Sequence, residues 1–306
     1  MSLDADLLLD RRRIKRRLNL WRVLAVVAFA AAVLVAVAPR LGALGPHVAR
    51  LNVTGIITED RKLLDAVLAL QKDRSVSAVI VSIDSPGGSV AGGESLRGAL
   101  RRVAAVKPVV AVMLGTAASA GYMIAMPAAR VFARDATLTG SIGVILQTGE
   151  ASGLLSRLGL SADAITSGPL KDQPSFTRPL TPEGRVYLNA LVHDLYEQFL
   201  AMVAEGRHMD PARVRELADG RAYTGRQALA LGLVDQIGGE IEARAWLAES
   251  RQVPEKLPIR DVRVGSAYDR AIGATFGGLL GWAAGTFGGH GVPVIAWAVW
   301  QGGTAE

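Results

Sequence analysis

The sequence predicts a layered α/β fold with parallel pairing, and two observations carry that prediction. From Arg50 to Leu138, short near-continuous apolar runs alternate with segments striped every 3.6 residues. Strands covered on both faces and amphipathic helices leave that combined pattern. The chain is also long enough, at 306 residues, to enclose one large core or two small ones.

The elements come in order. Leu51–Ile57 reads as a strand, Asp60–Lys72 as a helix, Val76–Ile83 as a strand and Val90–Val103 as a helix. Val109–Leu114 is the next apolar strand, followed by a short apolar helix over Ala120–Met126 and a strand at Val131–Ala133. Thr139–Ile145 adds a strand after a tight turn, and Gly159–Ile165 reads as one more before the polar loop Ser167–Pro182. The second half is mostly helical. Thr181 caps a long helix to about Gly206, with Pro182 in the first turn, where a missing N–H costs nothing. Asp210 and Pro211 start another helix by the same device, and Thr224–Leu231 makes a third, stopped by Gly232. There is no internal repeat.

Charge is concentrated at one end. Residues 1–22 hold seven basic and three acidic groups, which leaves 27 basic and 25 acidic groups elsewhere. The net charge of +6 is thus largely an N-terminal patch, which makes a nucleic-acid surface a poor reading. The basic patch precedes Val23–Ala38, sixteen residues without a charge. A bilayer takes about 20 apolar residues, so Leu20 and Trp21 join the run while Arg22 snorkels to the interface. The small-x-small triplet Ala36-Val37-Ala38 also fits a cleaved signal peptide, but Pro39 directly after the cut would hinder cleavage. The reading favours an uncleaved anchor over residues 20–38. Residues 1–19 then form a cytoplasmic basic N-terminus, and the chain beyond residue 40 lies outside the inner membrane. Residues 39–49 make a Gly/Pro linker, 50–264 the main domain, and 265–306 an apolar Gly-rich tail that packs on another subunit or on the bilayer surface. With no cysteine, disulfides and thiol nucleophiles are excluded.

Two motifs carry chemistry. Gly115-Thr116-Ala117-Ala118-Ser119-Ala120-Gly121-Tyr122 places a serine among small residues at the end of an apolar strand, beside a helix N-terminus. There the backbone can turn sharply and the helix dipole suits an oxyanion. Upstream, Ser82-Ile83-Asp84-Ser85-Pro86-Gly87-Gly88 ends another strand in a glycine turn with exposed N–H groups. Together they would supply an attacking oxygen and a hole for the charge it creates. The turn lacks the Gly-Lys-Ser/Thr of a nucleotide loop.

A serine needs a base. Of the four histidines, His47 falls in the linker, His193 reads as a helix-packing residue, His208 sits at a helix end and His290 in the glycine tail. Lysine is the other established partner of serine, and it must be uncharged to act. Lys171, in Ser167-Gly168-Pro169-Leu170-Lys171-Asp172, is the best placed. Spacing alone favours a solvated loop lysine paired with Asp172. Ser141 reads as a turn residue or, if functional, as an orienter of Lys171. Val144 and Ile145, by residue type, would line an apolar substrate groove. Asp219-Gly220-Arg221 and Gly225-Arg226-Gln227 suggest helix-boundary contacts or subunit salt bridges.

Five blocks, Ser82–Val90, Gly115–Met126, Leu138–Ile145, Ser167–Arg178 and Ala218–Gly239, resemble in order and separation the short form of the bacterial signal peptide peptidase A family. That resemblance implies a crotonase/Clp-protease-like ββα spiral and a Ser–Lys peptidase. Ser119 would be the nucleophile and Lys171, 52 positions later, the general base. Gly87 and Ala120 would form the oxyanion hole, with Gly88 in support. It implies no metal or organic cofactor, remnant signal peptides as substrates, and a ring of subunits, expected here as an octamer, in which the base reaches a neighbour's serine. Relatives often carry glycine at position 120 and asparagine at position 84, where this chain has Ala120 and Asp84. A nodulation-efficiency-type membrane protease, a crotonase-type acyl-CoA enzyme and an inactive scaffold are the competing readings.

Overall fold

The computed structural model describes residues 17–29 and 45–264. Residues 17–29 form an exposed helix, α1. The rest of the expected anchor, residues 30–38, lies outside the described residues, as do most of the linker and the tail from 265 onward. Among the described residues no helix is long and apolar enough to cross a membrane.

The core unit alternates as the sequence predicts. Strand β1 (His47–Ile57) is followed by α2 (Arg61–Lys72), β2 (Val76–Gly88), α3 (Val90–Ala104), β3 (Val109–Ala118) and α4 (Ala120–Met123). Next come β4 (Arg130–Ala133), β5 (Leu138–Gly140), α5 (Ser152–Arg157), α6 (Pro182–Arg207) and α7 (Pro211–Leu217). Strand β6 (Ala222–Thr224), α8 (Gly225–Ala230), β7 (Gln236–Ile237), α9 (Glu240–Arg251) and β8 (Ile259–Asp261) complete the unit. The sheet runs β6-β5-β3-β2-β1-β8, with β4 and β7 branching from β3. Its pairings are parallel except β5 with β6.

The caps at Thr181 and Asp210 are those the sequence analysis expects, and three more join them. Asp60, Ser89, Thr181, Asp210 and Thr224 each accept first-turn N–H groups of α2, α3, α6, α7 and α8. The central strands read as unbroken apolar runs because both faces are covered. Val79, Val81 and Ile83 of β2, with Ala111 and Met113 of β3, enter the larger core shared with α2, α3, α4 and α6. Ala78, Ile80, Val110 and Val112 point the other way, onto Ala243 and Leu247 of α9.

Several expectations need correction. His47 is not in the linker; it begins β1, buried, with its N–H on Ser75 O. His193 is not packed in a core, because its side chain faces solvent and meets Glu197 at 3.3 Å. The strand expected at Thr139–Ile145 stops at Gly140, where Ser141 turns to a φ of +47°. Gly159–Ile165 forms no strand: among the described residues it has no neighbour to pair with, and Leu160 and Ile165 lie exposed. From residue 143 to 183 not one residue is buried, although Leu154, Leu158 and Phe176 are large and apolar.

Candidate active site

The site is built where β2 and β3 end side by side. The two strands run parallel until Ile83 pairs with Met113, and the register then shifts so that Ser85 faces Ala117. The Asp84 carboxylate fills the irregularity, accepting the Thr116 N–H at 3.0 Å. Two hydroxyls secure the end of β3 from the β5 side. Thr137 Oγ1 donates to Leu114 O at 2.6 Å, and Thr139 Oγ1 to Ala117 O at 2.8 Å.

Ser119 comes directly after. Its φ of +54° and ψ of −120° lie outside the regions comfortable for a residue with a Cβ. Such a conformation costs about 1–3 kcal/mol and persists only where its surroundings impose it. The imposed bonds are visible: Ser119 N–H donates to Gly140 O at 2.9 Å, and Ser119 O accepts the N–H groups of Tyr122 and Met123, both at 2.9 Å. The side chain makes no capping bond to α4. Between Ala117 and Met126, Ser119 is the one residue that is not buried. A hydroxyl so presented is sterically open to a carbonyl carbon. The N–H of Ala120 opens α4 and, as a first-turn donor, has no intrahelical partner.

The Gly87 turn comes against this hydroxyl. Gly87 has a φ of +118°, and a Cβ there would lie 2.8 Å from Ser119 Cβ and 3.2 Å from Ser119 Oγ. Only glycine allows that approach. Its N–H donates at 3.1 Å to Oγ of Ser85, a fully buried hydroxyl that sequence reasoning passed over. Gly88 is required for a different reason, since a Cβ there would fall 1.9 Å from Ile57 O of the neighbouring strand.

Lys171 stands apart. It lies exposed on the turn closed by its N–H to Gly168 O, and Asp172 pairs with Arg178 rather than with it. Among the described residues its Nζ makes no hydrogen bond or ion pair, and none joins it to Ser119. Ser141 is anchored through its N–H to Arg221 O at 2.9 Å, and Arg221 pairs locally with Asp219. Val144 lines an open cavity of about 520 Å³ against Asn189, Ala190, His193 and Tyr196 of α6. Ile145 is 80 % exposed and does not line it.

The model of Peptidase family S49 matches residues 101–254, which include Ser119 and Lys171. The chain belongs to peptidase family S49. A protein of Synechocystis sp. that carries a protease name is 43% identical over 202 residues, 66% of this chain and 73% of that one. A protein of Enterococcus faecium that carries the name signal peptide peptidase SppA is 33% identical over 232 residues, 71% of this chain and 67% of that one. Protease 4 of Salmonella typhi is 39% identical over 178 residues, 58% of this chain but only 29% of its own length. The S49 assignment and these relatives make the chain an SppA-family serine protease with a mixed α/β fold. A solved membrane-bound stomatin-specific protease, 1510-N, matches 72% of this chain and 99% of its own at 18% identity. Its TM-score of 0.46 is too low to bear on function.

Proposed function

We propose that this S49 protease is a membrane-anchored endopeptidase with a Ser119–Lys171 dyad, acting on remnant signal peptides and other short apolar segments beside the bilayer. The observation that carries the reading is the strained, half-open Ser119 at the strand–helix elbow, packed against the Gly87 turn. In this mechanism Lys171 Nζ takes the hydroxyl proton as Ser119 Oγ attacks the scissile carbonyl. It then gives that proton to the leaving amine, and an acyl-enzyme forms. Water, deprotonated by the same lysine, releases the acid and restores the serine. The N–H groups of Gly87 and Ala120 hold the tetrahedral oxyanion, Gly87 exchanging Ser85 Oγ for it. One such donor is worth about 3–4 kcal/mol of barrier.

The exposed, unengaged Lys171 supports a site completed between subunits, within a homo-oligomer proposed to be an octamer. The proposed scaffold is the crotonase/Clp-like ββα spiral. Residues 20–38 serve as the anchor, with the N-terminus cytoplasmic and the protease domain extracytoplasmic. The groove at Val144 would take the apolar side chains of the substrate.

Covalent labelling with a fluorophosphonate tests the dyad. Labelling is expected in the native chain, absent in Ser119→Ala and strongly reduced in Lys171→Ala. Mixed oligomers of those two inactive variants should regain activity if the site is shared between subunits. Unchanged labelling of Lys171→Ala would overturn the dyad.

A further inference from the structure

Ser119 is held in an unfavourable backbone conformation, so both of its flanks must be fixed. On the N-terminal side the sheet does this, through the pairing of Ala118 with Gly140 and the Ser119 N–H to Gly140 O. On the C-terminal side there is only the four-residue helix α4, too short to be stable by itself.

Tyr122 supplies the missing restraint. Its ring is fully buried and its Oη donates to Leu233 O at 2.7 Å. Leu233 lies in the turn between α8 and β7, 111 residues further along the chain. That turn is itself clamped. Arg207, at the end of α6, donates from Nε to Gly232 O at 3.0 Å and from its two terminal nitrogens to the Asp235 carboxylate at 3.0 and 2.6 Å. Asp235 Oδ2 also accepts the Val131 N–H at 2.7 Å, and Leu233 N–H reaches Ala228 O at 2.8 Å. The carbonyl that Tyr122 grips is thus fixed from three elements.

We infer that Tyr122 is a positioning residue for the Ser119 hydroxyl, and that the Arg207–Asp235 pair holds the carbonyl to which Tyr122 is tied. The inference rests on Ser119 being the nucleophile. Neither Tyr122 nor the pair touches substrate. They set the direction of α4, and with it the direction in which Ser119 Oγ points. If Tyr122 only filled space, phenylalanine would serve equally well.

The test is the rate of labelling by a small fluorophosphonate, measured on the full chain beside its thermal midpoint. Tyr122→Phe is expected to slow labelling about tenfold to a hundredfold at temperatures where it is fully folded, as a displaced nucleophile would. Arg207→Lys keeps the charge but loses the fork, and should slow labelling by a smaller factor. The double variant should be no slower than Tyr122→Phe, because both changes act through one carbonyl. Leu247→Ala, on the opposite face of the sheet, should lower the midpoint yet label at the native rate. Labelling of Tyr122→Phe within about twofold of native, or equal slowing by Leu247→Ala, would overturn the positioning role. Persistent labelling of Ser119→Ala would instead remove the nucleophile assignment beneath it.

Discussion

Replacing Gly87 by alanine is a demanding test of the site because one methyl group strikes both the backbone and the nucleophile. The new Cβ would stand 2.8 Å from Ser119 Cβ and 3.2 Å from Ala118 O. Carbon atoms rest about 3.5–4.0 Å apart, so something must retreat by roughly 0.7–1.2 Å. The φ of +118° adds a conformation that residues with a Cβ avoid. Overpacking costs about 1–3 kcal/mol and the backbone strain about 1–3 kcal/mol more, so roughly 2–6 kcal/mol of stability should be lost. If the serine is what moves, a displacement near 1 Å should slow its reaction about a hundredfold. Urea unfolding and the rate of fluorophosphonate labelling measure the two effects separately. Gly98→Ala is the matched control. It lies inside α3 with no atom within 4 Å of the new methyl, and should gain about 0.5–1 kcal/mol while labelling normally. A Gly87→Ala enzyme of native stability and native labelling rate would refute the close approach of the two turns.

Gly88→Ala should be worse for folding than for chemistry alone. Its methyl would meet Ile57 O at 1.9 Å, a main-chain clash that no rotamer relieves, so little soluble protein is expected on expression. Asp235 predicts an acid limb. Burial pushes its carboxyl up, but hydrogen bonds and charge from Arg207, with the Val131 N–H, hold it below the ordinary value of 3.8. The stabilisation is therefore complete above that value and lost as pH falls through the lower folded-state value. Asp235→Asn should flatten the decline of stability with acid below about pH 4, seen as a shallower fall in unfolding midpoint. An unchanged acid limb would show that other carboxylates control it.

The parts of this molecule legible in its sequence are those fixed by local chemistry. Val76–Ile83 and Val109–Leu114 announce buried strands because a doubly covered strand needs no polar face. Thr181 and Thr224 mark helix starts through hydroxyls that act within three residues. Ser119 and Gly87 stand out because a sharp turn restricts residue choice. The features that escape a sequence reading depend on distant partners. The strands β7 and β8 are two and three residues long and exist only through β4 and β1. Helix α9 follows Gly239, which has no hydroxyl to offer as a cap, and the Gly239 N–H is itself taken by Glu242 Oε2 at 2.6 Å. The Tyr122–Leu233 bond and the Arg207–Asp235 pair join points too far apart for periodicity to register. Gly159–Ile165 errs in the opposite direction: its apolar residues imitate a strand that no neighbour among the described residues completes.

The span from 143 to 183 adds nothing to the hydrophobic interior, yet it carries the proposed base. Under the proposed mechanism, substitutions there would change how the amine is delivered while the buried core keeps its contacts. If the proposed base is the working one, that stretch can vary around it at little cost to the folded body.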